Sequence, residues 1–156
     1  MDATSGLTGS RNYFEDFSPG EVYEHVRGKT LTEMDNVLIT NLVLNTAEGH
    51  FNEDRTGRRV VFGGITASLV IGLAMEDTGE NVLAELGLDK VRFGHAVFHG
   101  DTIYSLTEVL QKDGEHHSEA GEVRFRHVGF NQDGNVVFEG ERRALVKKRQ
   151  QLASGI

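Results

Sequence analysis

A chain of 156 residues with 24 acidic against 16 basic side chains carries a formal charge of −8 and is a poor match for a polyanion, since nucleic-acid affinity rests on lysine and arginine displacing counterions from phosphates. It contains no cysteine, which excludes a disulfide framework and a cysteine nucleophile and points to a reducing cytoplasm. Its length sets the expectation of one domain around one core, and 19 glycines added to 38% apolar residues bring it into the ordinary globular range.

The opening MDATSGLTGSRN is small and polar and lacks the apolar run of a signal peptide. Residues 1–11 therefore read as a tail, residues 12–149 as the domain and residues 150–156 as a second tail. FSPGEVYEHVRGKTL begins on Pro19-Gly20 and continues with β-favouring residues, which predicts a first strand over residues 22–31. In LTEMDNVLITNLVLN, Thr32 and Asp35 have capping-box spacing. Met34, Leu38, Leu42 and Asn45 then share one face at helical spacing, so a helix over residues 33–45 is expected to bury that stripe.

LNTAEGHFNED follows, too polar for core, with His50 at its centre. VVFGGITASLVIGLAM, residues 60–75, is uncharged but shorter than the ~18–20 apolar residues that cross a bilayer. It predicts a helix over residues 64–77, apolar on every face and therefore enclosed. Long strands come next: DTIYSLTEVLQ, then GEVRFRHVGF beyond Asp113-Gly114, then NVVFEGERRALVKK beyond the hairpin signal Asp133-Gly134. The sum is an α+β arrangement, an antiparallel β-sheet wrapped around a central buried helix, which is the layout of a hot-dog fold.

Three stretches, NYFEDFSPGEVYEH, VFGGITASLVIGL and LGLDKVRFGHAVFHGDTI, in that order, resemble the MaoC-like dehydratases, the family of (R)-specific enoyl-CoA hydratases. The resemblance covers residues 12–149. It implies reversible addition of water to a trans-2-enoyl thioester, carried by CoA or an acyl carrier protein, with no further cofactor. In the family a His and an Asp five residues before it activate the water. His50 matches the histidine, but Asn45 stands where the Asp belongs, and Glu48 where a Pro is usual. The resemblance also places a backbone amide against the thioester carbonyl at the start of the buried helix, which falls on Gly63 with Gly64 beside it. Ile71 replaces a residue that is often Ser, and the segment from His50 to Gly63 is a few residues shorter than usual. Arg92 lies on a strand that borders the acyl-CoA channel in the family, and pairing into a homodimer is implied.

Hydration needs a base for water, an acid for the α-carbon and a donor for the enolate oxygen. Asn45 can orient water but exchanges no proton at neutral pH. His50 would then act as both base and acid, with Glu48 the nearest carboxylate to assist it. Each assignment has a plain counterpart: His50 as a loop histidine, Glu48 as a surface carboxylate, Asn45 as a buried amide, Arg92 as one half of an ion pair. His95 and His99, like His116 and His117, supply too few ligands for zinc, so no metal is expected. RTGRR, residues 55–59, and VKKRQ, residues 146–150, concentrate positive charge that either meets an anionic carrier or is simply solvated. Two other functions stay open. One is a thioesterase using Glu48 or Glu53; the other is a non-catalytic thioester-binding or partner subunit, motivated by Asn45 and Ile71.

Overall fold

The computed structural model describes residues 12–54 and 57–149, so both predicted tails lie outside the described residues. Six antiparallel strands form one sheet: β1 (Val22–Glu24), β2 (Lys29–Thr30), β3 (Val82–Phe93), β4 (Thr102–Asp113), β5 (Ala120–Asn131) and β6 (Val136–Lys147). Their order is β1-β4-β5-β6-β3, with β2 continuing the β1 edge along β4. The helices are α1 (Glu33–Leu42), α2 (Gly63–Leu73) and α3 (Met75–Thr78). The Asp133-Gly134 signal marks the β5–β6 hairpin, with Gly134 at φ +78° and Asn131 Oδ1 accepting from the amides of Asp133 and Asn135.

Strict alternation along β5 decides which face is covered. Val123, Phe125, His127 and Gly129 are buried, while Arg124, Arg126, Val128 and Phe130 between them are only partly so. α2 packs on the buried face. Val70 sits directly over Gly129, where a Cβ would lie 2.2 Å from Val70 Cγ2, so only glycine admits the helix this close. The apolar core divides into Phe17, Tyr23, Val109 and Phe125 at one end of the sheet and Leu31, Ile65, Val70 and Phe138 at the other. Ile71 packs against the second group.

Three expectations are corrected by packing. The first strand breaks after Glu24, because His25 turns inward to Asp77 and Gly28 lies beneath the Tyr104 ring, where a Cβ would meet it at 2.5 Å. The second predicted helix stops at Leu73, and Ala74 separates it from α3. Nor is it enclosed on every side: Ile65, Thr66 and Val70 are buried, but Ser68 and Gly72 face outward.

Between the two apolar groups runs a buried polar chain. Asp77 bonds His25 Nδ1, His25 Nε2 meets Thr107 Oγ1 at 2.6 Å, and Thr107 Oγ1 meets His127 Nδ1 at 2.8 Å. His127 Nε2 has no partner among the described residues, so a second proton there would be a bare charge in the core. Burial, then the charges of Arg142 and His25, push His127 down to about 3. The folded chain therefore leaves His127 neutral while the unfolded chain protonates it near 6.5. That contribution to stability is complete above about pH 6.5 and is lost as pH falls towards 3, on the order of 1 kcal/mol per pH unit. Urea unfolding at pH 7 and pH 5 should show the loss, and His127→Gln should flatten the difference.

The opposite edge, β3, is long and open. Three register shifts interrupt it, between Val82/Ala84, Glu85/Gly87 and Asp89/Arg92, and Leu83, Leu86, Leu88, Val91 and Phe93 are 39–54% exposed along it.

Candidate active site

α1 begins as its sequence dictates. Thr32 Oγ1 accepts from the Asp35 amide while Asp35 Oδ2 accepts from the Thr32 amide. Its orientation is the reverse of the expected one. Met34, Leu38 and Leu42 are 74%, 64% and 78% exposed, and the buried residues are Asn36 and Thr40. Asn36 and Thr40, four residues apart, form the polar line that faces the protein.

The helix also ends earlier than predicted. The Asn45 amide donates to Thr40 O and the Leu44 amide to Asn41 O, a Schellman closure with Leu44 at φ +56°. Glycine usually fills that left-handed position, and its absence hides the stop. Leu44 is 85% exposed and gives up little packing. Leu44→Gly is therefore expected to stabilise the fold by roughly 0.5–1 kcal/mol, read as a higher urea midpoint.

Beyond the closure, Asn45 is partly buried, and its Oδ1 accepts from the Ala47 amide at 2.9 Å and shapes the loop. Glu48 opens a 3₁₀ turn, Glu48–His50, on the exposed side and accepts from Asn52 Nδ2 at 2.9 Å. His50 is half-buried, with its ring edge-on to Phe62 at 5.6 Å between centroids. Its Nδ1 lies 2.8 Å from Val60 O. A carbonyl only accepts, so Nδ1 carries the hydrogen and neutral His50 presents Nε2 as a bare acceptor. The Val60 amide in turn donates to Gly49 O at 3.0 Å, so the histidine turn and the approach to α2 are stitched together.

Phe62 is the N-cap of α2 and offers no side-chain cap; the amides of Ile65 and Thr66 both fold back to Phe62 O. The amides of Gly63 and Gly64, at the first two helical positions, have no acceptor within the helix, and the helix dipole favours negative charge in front of them. A Cβ on Gly64 would lie 2.5 Å from the Phe62 ring, and one on Gly63 would lie 3.1 Å from the Phe93 ring on the β3 edge. The fold thus brings His50, Gly63 and Gly64 together through residues 60–64, with Asn45 and Glu48 on the same loop. Arg92 stands apart: it pairs in register with Glu139, whose side chain bonds Arg126 on the outer face, across the strand from Phe93. A cavity of about 310 Å³ lies elsewhere, on the outer face among Lys112, Glu122, Arg124 and Arg143.

Residues 7–148 match the family described as mesaconyl-CoA hydratase. The chain belongs to that MaoC-like family. A mesaconyl-CoA hydratase of Haloarcula marismortui is 36% identical over 155 residues, covering 87% of this chain and 42% of the relative. The solved structure of a putative MaoC domain protein dehydratase from Chloroflexus aurantiacus superposes with TM-score 0.87 at 29% identity, over 97% of this chain and 45% of that one. A Mycobacterium tuberculosis protein described as having a double hot-dog fold superposes with TM-score 0.81 at 22% identity, over 96% of this chain and 48% of that one, a likeness of fold alone. The chain thus spans less than half the length of these mesaconyl-CoA hydratase and dehydratase relatives.

Sequence reasoning missed three parts of the site. Val60 acts through its carbonyl and Phe93 through proximity in space, and neither leaves a mark in the sequence. Asn36 did leave one, as half of a polar pair at i and i+4 opposite the apolar stripe.

Proposed function

We propose that this chain is a hydratase/dehydratase of acyl thioesters, reversibly adding water to a trans-2-enoyl-CoA or enoyl-acyl carrier protein to give the 3-hydroxyacyl thioester. His50 Nε2 takes a proton from water as the oxygen bonds to the β-carbon. The double-bond electrons move towards the thioester, and the Gly63 amide holds the charge that develops on its oxygen. The imidazolium then returns a proton to the α-carbon, so that the net addition is one water. Asn45 contributes its NH2 to water or carbonyl, Gly64 lets the thioester approach the backbone, and Glu48 and Arg92 are the outlying candidates. No cofactor is required. Family membership and the names of the relatives support mesaconyl-CoA, itself an α,β-unsaturated thioester, as a substrate to try first.

One observation carries the reading: His50 is fixed through Nδ1 to Val60 O, two residues before an α2 N-cap that lacks a side-chain partner. Loss of the conjugated-thioester absorbance on mesaconyl-CoA or crotonyl-CoA tests it. Release of free thiol instead would favour a thioesterase. Asn45 in place of the family Asp supports a second reading, a thioester-binding partner subunit; tight binding without turnover would establish it.

A homodimer in the cytoplasm completes the proposal. The exposed apolar side chains of β3 call for a cover, and Phe93 on that edge borders Gly63, so a second hot-dog layer along β3 would wall the slot in front of the amide.

A further inference from the structure

We propose that Asn36 is the positioning residue that sets the base and the charge-holding amide relative to each other, a role that rests on the hydratase reading above. Its side chain is fully buried, and every polar atom of the carboxamide is engaged. Nδ2 donates to His50 O at 3.2 Å. Oδ1 accepts from the Phe62 amide at 3.1 Å and from Thr40 Oγ1 at 3.2 Å. The chemistry of the partners fixes the amide orientation: Phe62 N can only donate, so it must face oxygen, and His50 O can only accept, so it must face nitrogen.

One rigid, planar group therefore holds the main chain of His50 with one atom and the residue immediately before Gly63 with another. The spacing between the two halves of the site is set by the covalent geometry of a single side chain. The His50 ring has its own anchor, Val60 O, on the segment that Asn36 secures at Phe62, so ring and helix start move together or not at all. This also accounts for the inverted face of α1. Turning Asn36 and Thr40 inward leaves Met34, Leu38 and Leu42 in solvent, a cost in apolar burial that the helix bears in order to satisfy two backbone groups beside the site.

Substitution distinguishes this role from ordinary core structure. Asn36→Leu keeps the shape and removes all three bonds. Asn36→Asp keeps the two bonds on oxygen and replaces the donor to His50 O with a carboxylate oxygen. Thr40→Val removes only the hydroxyl that supports Asn36. The primary readout is the tautomer of His50 by ¹⁵N-imidazole NMR, which needs no substrate; the second is kcat against KM for hydration. The wild type is expected to hold the Nδ1–H tautomer. Both Asn36 variants are expected to show a mixed tautomer and a kcat lower by about 10–100-fold, with KM changed only a few-fold. Thr40→Val should keep the wild-type tautomer and most of kcat while lowering the unfolding midpoint.

A wild-type tautomer and kcat in a folded Asn36 variant would overturn the proposal. So would equal effects in Thr40→Val and Asn36→Leu, or failure of both Asn36 variants to fold, since Asn36 would then be a core residue only. If the wild type turns over no enoyl thioester, the functional reading fails while the tautomer still decides the role of Asn36.

Discussion

His50→Ala is expected to lower kcat/KM for hydration of an enoyl-CoA by about 10²–10⁴-fold, the range for loss of a positioned general acid–base. The fold should tolerate the change. The ring is half-buried and makes one hydrogen bond among the described residues, to Val60 O, worth about 1 kcal/mol, so the unfolding midpoint should move only slightly. Glu48→Gln is the informative companion. Glu48 is exposed and already accepts from Asn52, and its amide substitute should retain most of the activity. Reversed effects, with Glu48→Gln inactive and His50→Ala active, would transfer the chemistry to a carboxylate and favour thioester hydrolysis.

Gly63→Pro is expected to reduce kcat by about 10²–10³-fold, the usual cost of losing one donor to a developing oxyanion. The substitution is unusually selective because the backbone already suits it. Gly63 is the first residue of α2, where proline is well accommodated, and Phe62 before it has φ −58° and ψ 128°, the region that a following proline requires. What disappears is the N–H. Gly63→Ala is the control: it keeps the donor and adds a Cβ that meets the Phe93 ring at 3.1–3.4 Å, on an exposed edge with room to give. The alanine variant should lose only a few-fold. Equal losses in the two would mean that space, not the amide hydrogen, is what matters at Gly63.

The sequence reveals those parts of this molecule in which local chemistry decides the outcome. Thr32 and Asp35 start α1 where their spacing predicts, and Asp133-Gly134 turns β5 into β6. The hot-dog layers follow from one small-residue apolar helix and a run of alternating strands. Where tertiary contacts decide, periodicity falls silent. The stripe of Met34, Leu38 and Leu42 says that α1 has two faces but not which one the protein keeps, and Asn36 with Thr40 takes the inner one. Leu44 adopts a glycine-like conformation that its side chain conceals. Family likeness singles out His50 and Gly63 as a candidate pair. Their link through the Val60 carbonyl and the Asn36 amide is not legible there, because a carbonyl has no identity in the sequence and the polar pair of Asn36 and Thr40 does not say which backbone groups it will meet.

The most direct measurement is a crystal structure with the 3-hydroxyacyl-CoA product bound. The account predicts the 3-hydroxyl oxygen within about 3 Å of His50 Nε2 and the thioester oxygen within about 3 Å of the Gly63 amide. A thioester seated away from the start of α2, with Nε2 of His50 turned to solvent, would contradict it.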